Sequence, residues 1–144
     1  MSAERFAEAI WEGNLAKGQG KFNTGSGAIG EQAVTWASRT ERSEGKTSPE
    51  ELLAAAQASC YAMAFSNELS KANATPEKVT VKATCTFELN PARVSTMKIE
   101  VKGVVKGIEE AAFVKIAEET AKGCPISKAL LNNVEISVHA SLEK

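Results

Sequence analysis

The chain has 144 residues, of which 43% are hydrophobic and 24% charged, and its 17 basic and 18 acidic residues leave a formal net charge of -1. This length fits one domain, residues 1–144, with enough chain to bury a sizeable core. Since it has no basic run and no apolar stretch of roughly 18 residues, we predict neither nucleic-acid binding nor a membrane span. The first residues lack the pattern of a signal peptide, so we expect a cytoplasmic protein.

The N-terminal part of the chain has the pattern of short strands. Residues 6–38 alternate loosely and are interrupted by glycines, which predicts three antiparallel strands joined by turns. Residues 40–48 are polar and are predicted to form a loop.

A long helix is predicted to follow this loop. Ser48 and Glu51 have the spacing of a capping box around Pro49, and the helical pattern continues to about Ala72. No charged residue occurs in the stretch 52–65. A helix that is apolar nearly all round lies in a core or at a subunit interface. We therefore interpret it as the central helix of the fold.

The remaining chain alternates between strand and helix patterns. Residues 79–89 and 94–105 are predicted to form a hairpin around the turn at Asn90, and 109–122 a second helix. A short helix from Pro125 to about residue 131 and a strand over 134–142 complete the chain. The sum of these elements is an α+β fold.

Three cysteines, an odd number without an export signal, indicate free thiols rather than a disulfide scaffold. No two Cys or His residues fall within a few positions of each other, so no metal site is predicted. Cys85 lies on the apolar face of its strand, which favours a packing role. The single histidine, His139, falls on the polar face of the last strand and is interpreted as a surface residue.

Cys60 and Cys124 are the two candidates for chemistry. Cys60 lies in the apolar stretch of the long helix, a pattern that by itself favours a small buried side chain. Cys124 lies between Gly123 and Pro125, at or beside the N-cap of the short helix. Unpaired backbone N–H groups at such a position stabilise a thiolate, so packing and functional readings of Cys124 are both open.

Two glutamates begin the long helix, and a structural role is available for each. Glu51 fits the capping box, and Glu50 is favoured by the helix dipole. Ten residues separate Glu50 from Cys60, which is about 15 Å along a continuous helix. If the two residues share a site, we expect a second chain to supply one of them.

Two sequence motifs resemble those of a known family. The segment from Arg39 to Cys60, RTERSEGKTSPEELLAAAQASC, resembles the OsmC/Ohr family of osmotically inducible and organic hydroperoxide resistance proteins. The segment AKGCPIS around Cys124, 64 residues after Cys60, resembles its second-cysteine motif. AIWEG at 9–13 and KGQG at 17–20 resemble the OsmC branch, and the resemblance covers nearly the whole chain.

This resemblance implies an intertwined α+β homodimer with antiparallel sheets, a long central apolar helix and active sites at the subunit interface. It also implies that Cys60 is the attacking thiol and Cys124 the resolving thiol. Arg39, with Arg42 as a nearby alternative, and Glu50 are implied as the pair that tunes the site. A guanidinium close to Cys60 would lower the pKa of that thiol and keep its charge in a poorly solvated pocket.

The implied activity is the reduction of organic hydroperoxides, and less well of hydrogen peroxide, through a Cys60 sulfenic acid and a Cys60–Cys124 disulfide. An external dithiol, implied by the family to be a lipoylated protein, would reduce this disulfide. No metal, haem or flavin cofactor is implied. We expect apolar side chains to form a pocket for the tail of the peroxide: Leu52, Leu53, Met63, Phe65 and Trp36.

Two alternative functions share this fold. One is a module that binds a small apolar ligand, although the presence of both motif cysteines and Arg39 argues against it. The other is a redox sensor, which would form the same disulfide without sustained peroxide turnover. Turnover with a dithiol separates an enzyme from both alternatives.

Overall fold

The computed structural model of the protein describes residues 1–143, which form an α+β fold as predicted. The chain divides into two compact units, Met1–Leu52 and the described residues from Leu53 onward. None of the helices in the described part of the chain is long and apolar enough to cross a membrane.

The first unit contains a small sheet of three antiparallel strands, as the glycine-interrupted pattern predicts. Strands β1 (Ala7–Glu12), β2 (Gln19–Thr24) and β3 (Gln32–Val34) pair in the order β1-β2-β3.

A short helix, α1 (Trp36–Thr40), follows β3, in a region for which we predicted the end of a strand and a loop. Thr35 caps this helix: its hydroxyl accepts the backbone N–H of Ser38, and the Ser38 hydroxyl accepts the backbone N–H of Thr35, both at 3.0 Å. A serine thus stands where a capping box usually has Glu or Gln, which explains why the sequence pattern did not predict the helix.

The long helix predicted from the sequence is α2 (Pro49–Lys71). The hydroxyl of Ser48 accepts the backbone N–H of Glu51 at 3.2 Å, which is the expected N-terminal capping bond. The Glu51 carboxylate accepts a hydrogen bond from the Thr47 hydroxyl at 2.7 Å.

The second unit contains a larger, three-stranded sheet. Strands β4 (Thr75–Leu89) and β5 (Ala92–Lys106) form the predicted hairpin, and β6 (Glu135–Leu142) pairs with β5 in parallel. Helices α3 (Glu110–Gly123) and α4 (Pro125–Leu130) connect β5 to β6. Because this crossover returns the chain in its original direction, the second sheet is mixed, whereas we expected antiparallel sheets.

The core of the second unit lies between α2, α3 and the sheet. Its fully buried large side chains are Tyr61, Phe65 and Leu69 of α2, Met97, Ile99 and Val101 of β5, and Phe113 of α3. The Tyr61 hydroxyl also donates to the backbone oxygen of Ala117 at 2.7 Å, which ties α2 to α3. These contacts fix the rotation of α2 about its axis, and with it the direction of Cys60.

Candidate active site

Cys60 lies in the middle of α2, directly before the buried Tyr61. Its side chain is partly buried and packs against the core of the second unit. It is therefore a thiol on the margin of the core and not a fully enclosed packing residue.

Cys124 ends α3 and begins α4, as the C-cap of the first helix and the N-cap of the second. Pro125 occupies the first turn of α4, as predicted, and 1% of the Cys124 surface is exposed. The fold thus places this thiol at a break between two helices, where backbone N–H groups are available to its sulfur.

The structure brings the two sulfurs together, although 64 residues separate them along the chain. The Sγ atoms of Cys60 and Cys124 are 3.1 Å apart and both cysteines are free. A disulfide bond is about 2.0 Å long, so an approach of roughly 1 Å would allow the two sulfurs to bond.

The two thiols differ in acidity despite this proximity. Burial raises the pKa of Cys60, and Cys124 raises it further, although the backbone N–H of Ile126 opposes both. Burial also acts to raise the pKa of Cys124, but hydrogen bonds from the Ser127 N–H, Cys60, the Ser127 hydroxyl and the Ile126 N–H outweigh it and lower that pKa. No guanidinium is among these causes, so the expected lowering of the Cys60 pKa by an arginine stays a prediction.

Gln57 is a further residue of the site that the sequence analysis did not identify. It is fully buried one helical turn before Cys60, and its Nε2 lies 3.0 Å from the Ser127 hydroxyl and 3.6 Å from Cys124 Sγ. The available signal was a single amide side chain within an uncharged stretch of α2, since a buried polar group needs a partner.

Arg39 and Glu50 form an ion pair in the first unit. Arg39 Nη2 lies 2.7 Å from Glu50 Oε1, and Arg39 Nε lies 3.0 and 3.1 Å from the two carboxylate oxygens. Glu50 is 7% exposed, and the Arg39 guanidinium also lies 5.9 Å from the ring centroid of Trp36. The residue that the structure pairs with Glu50 is therefore Arg39 and not its neighbour Arg42.

Glu50 and Cys60 occupy different positions along α2. Glu50 is in the first turn and Cys60 is ten residues later, a rise of about 15 Å. The expectation that a second chain unites these groups is therefore unchanged by the structure.

Other residues considered from the sequence have clear locations. Phe65 is fully buried in the core, so it cannot line an open pocket as expected, whereas Met63 is 70% exposed. Cys85 faces the core from β4, and His139 is exposed on β6, both as predicted. Among residues 1–143 no three His, Cys, Asp or Glu side chains lie close enough to hold a metal ion.

The fold and the neighbouring thiols define an α+β protein with one free cysteine in its long helix and a second at the junction of two other helices. The sequence model of the OsmC-like protein family matches residues 42–139, and the chain belongs to this family. It is 34% identical over 132 residues to the peroxiredoxin OsmC of Escherichia coli, covering 90% of this chain and 92% of that protein. This relative agrees with the predicted OsmC branch.

Solved structures show the same fold. An OsmC-like protein from Mycoplasma pneumoniae superimposes with a TM-score of 0.75 at 14% identity, with all of both chains covered. An organic hydroperoxide resistance protein from Elizabethkingia anophelis superimposes with a TM-score of 0.73 at 19% identity, covering 99% of this chain and all of that one.

Proposed function

We propose that this protein is a two-cysteine peroxidase that reduces organic hydroperoxides, and hydrogen peroxide less well, using electrons from an external dithiol. The observation that carries the proposal is the 3.1 Å separation of two free thiols, Cys60 and Cys124. Its relative in Escherichia coli is called a peroxiredoxin, which supports the same chemistry.

In the proposed reaction Cys60 is the nucleophile. Its thiolate attacks one peroxide oxygen, the O–O bond breaks, and the other oxygen leaves as an alcohol after taking up a proton. Cys60 becomes a sulfenic acid, and the Cys124 thiolate then attacks Cys60 Sγ. An S–S bond forms as the S–O bond breaks, and the oxygen takes up a proton from solvent and leaves as water. Disulfide formation protects Cys60 from irreversible oxidation.

The proposed role of Arg39 is to supply the positive charge that the Cys60 thiolate needs. The surroundings of Cys60 in its own unit raise the pKa of this thiol, so an additional cation is required for attack at neutral pH. Glu50 holds the guanidinium through three nitrogen–oxygen contacts of 2.7 to 3.1 Å. Because Glu50 precedes Cys60 by ten residues on α2, the partner subunit of a homodimer would bring the pair to Cys60.

The surface of α2 supports this homodimer. Met63 is 70% exposed in a helical stretch that contains no charged residue from Leu52 to Phe65, and Ala55 is exposed on the same helix. Such an apolar surface on a central helix is typical of a buried interface.

The proposed reductant is a dithiol of the lipoyl type, and we expect the protein to act in the cytoplasm, where dithiols are maintained.

The test is the steady-state consumption of cumene hydroperoxide and of hydrogen peroxide with dihydrolipoamide as the reductant. We expect wild-type protein to turn over with preference for the organic peroxide, Cys60→Ser to be inactive, and Cys124→Ser to stop after about one equivalent per thiol. Cys85→Ser is the matched control and should retain activity. If wild type consumes no more peroxide than Cys60→Ser does, the protein is not a peroxidase, and a redox sensor or a ligand-binding module becomes the better account.

A further inference from the structure

The two sulfurs of the proposed disulfide differ in how far a second molecule can approach them. Cys60 is partly exposed, whereas 1% of Cys124 is exposed. A thiolate that reduces a disulfide must reach one of its two sulfur atoms along the S–S axis, and access helps to decide which sulfur it attacks. The fold therefore favours attack at Cys60.

The surroundings of Cys124 suit the sulfur that leaves as a thiolate when the disulfide is reduced. The backbone N–H groups of Ser127 and Ile126 and the Ser127 hydroxyl favour the charged form of Cys124 and act to lower its pKa. The amide Nε2 of Gln57 lies 3.6 Å from the same sulfur. Donors that converge on a sulfur stabilise the thiolate, and a more stable thiolate leaves faster.

Gln57 organises these donors. Its Nε2 donates to the Ser127 oxygen at 3.0 Å, which leaves the single hydroxyl proton of Ser127 free to point at Cys124. The Oε1 atom of Gln57 is buried without a hydrogen-bond partner among residues 1–143. Within these residues the polar contacts of the Gln57 side chain are therefore those of its Nε2, with Ser127 and Cys124.

We propose that Gln57 is a positioning residue that holds Ser127 against Cys124, so that the reducing dithiol attacks Cys60 and expels Cys124. This inference rests on the proposed function, because it concerns the reduction of the Cys60–Cys124 disulfide. It adds to that function the direction of the exchange and the residue that sets it.

The step balances without any further reactant. A thiolate of the dithiol attacks Cys60 Sγ, the protein S–S bond breaks, and its electron pair leaves on Cys124. The second sulfur of the dithiol, after losing its proton, attacks the first one, and Cys60 departs as a thiolate. The dithiol is oxidised by two electrons to a disulfide, and its two protons pass to the solvent or to the protein thiolates.

The first experiment identifies the sulfur that is attacked. Protein with the Cys85→Ala substitution is oxidised with diamide, so that no peroxide is involved, and is exposed briefly to mercaptoethanol before an acid quench. This monothiol carries no second sulfur for an intramolecular exchange, and the acid quench protonates the thiolates that would re-form the protein disulfide, so peptide mass spectrometry can locate the mixed disulfide. We expect the adduct on Cys60. An adduct mainly on Cys124 would overturn the inference.

The second experiment tests Gln57. Gln57→Met retains the length of the side chain and removes the donor, and it should slow the reduction of the diamide-formed disulfide by dithiothreitol about three- to tenfold. In a Cys60→Ala, Cys85→Ala background the same substitution should move the ionisation of Cys124, followed by thiolate absorbance, to higher pH. A purely structural role for Gln57 would leave this titration unchanged, and that result would contradict the proposal.

Thr120→Val is the matched control for the loss of a buried polar group. Thr120 is 4% exposed, and its hydroxyl donates to the backbone oxygen of Ile116. The Thr120→Val substitution should lower the stability of the protein without changing the pH at which Cys124 ionises. If Gln57→Met does not fold, Ser127→Ala removes the hydroxyl that Gln57 holds and should shift the titration in the same direction. Peroxide turnover is measured separately, so either proposal can fail while the other stands.

Discussion

Cys60 and Cys124 influence each other's ionisation because their sulfurs are 3.1 Å apart. When one of them is a thiolate, its charge opposes ionisation of the other, and the hydrogen bond between them favours the thiolate that accepts it. In this chain that thiolate is Cys124, whose pKa is lowered, whereas burial and then Cys124 raise the pKa of Cys60. Cys124, the proposed resolving residue, therefore opposes ionisation of the proposed nucleophile Cys60 in the reduced protein.

This restraint predicts the effect of Cys124→Ser on Cys60. Removal of the neighbouring sulfur leaves burial to raise the pKa of Cys60 but removes the hydrogen bond and the charge that add to it. The pKa of Cys60 should therefore fall, and its thiolate fraction at neutral pH should rise. The rate of alkylation of Cys60 by iodoacetamide against pH, followed by peptide mass spectrometry, measures this directly.

Cys85→Ser is the control for this titration, because Cys85 lies on β4 and is not among the causes of the Cys60 shift. In Cys85→Ser, the rate of Cys60 alkylation should depend on pH as it does in wild type. A Cys60 pKa that stays constant or rises in Cys124→Ser would show that the two thiols do not interact as the structure indicates.

At the residue scale, the sequence analysis identified Cys60 and Cys124 as the candidates for chemistry. It did not predict the hydrogen bond between Gln57 and Ser127 beside them. Gly123 and Pro125 punctuate the helices on both sides of Cys124, so its N-cap position was predictable from local rules. Gln57 reaches Ser127, 70 residues away, and no local rule encodes such a contact. Burial in an apolar stretch of α2 is the main cause of the raised Cys60 pKa, whereas the contribution of Cys124 depends on the same long-range packing.

At the scale of elements, helix α3 packs against the sheet where the ring of Phe113 covers Gly103 of β5. Phe113 is fully buried and stacks edge-on against Phe65 of α2, with ring centroids 5.1 Å apart. The same ring covers Gly103 of β5, where a methyl group would lie 2.7 Å from Phe113 Cε2 and 2.8 Å from Cζ. The glycine thus allows the ring to reach the sheet surface.

We therefore expect Gly103→Ala to destabilise the protein by about 1–3 kcal/mol, since overpacking a filled core forces side chains or backbone to move. Gly123→Ala in α3 is the control, because nothing lies within 4 Å of the added methyl group and alanine favours the helix. Urea unfolding at one protein concentration measures both variants. If Gly103→Ala unfolds at the same urea concentration as wild type, the Phe113 ring does not contact Gly103 as closely as the structure indicates.

Element types were largely predictable because each rests on a short-range pattern. The alternation over residues 79–89 predicted β4, and the capping residues around Pro49 predicted α2. The parallel pairing of β6 with β5 was not predictable, since it depends on how α3 and α4 carry the chain across the sheet. Helix α1 was missed because its cap uses Ser38 in place of the usual Glu or Gln.

At the scale of the whole molecule, the proposed active site requires residues from two chains. Glu50, which pairs with Arg39, lies in the first turn of α2, and Cys60 lies about 15 Å further along this helix. In a two-fold symmetric dimer, each site would combine Cys60 and Cys124 of one protomer with Arg39 and Glu50 of the other. Loss of Glu50 would then inactivate the Cys60 of the partner and not that of its own chain.

This arrangement predicts complementation between two inactive variants. Cys60→Ser and Glu50→Ala should each be inactive as homodimers, the second because its Arg39 has lost the carboxylate that holds it. When the two chains are co-expressed with different affinity tags, a purified heterodimer has one site with Cys60 and Glu50 both intact, and about half of the wild-type activity should return. If each site were built within one chain, every site in this heterodimer would lack one group, and the activity would stay at the level of the parent variants.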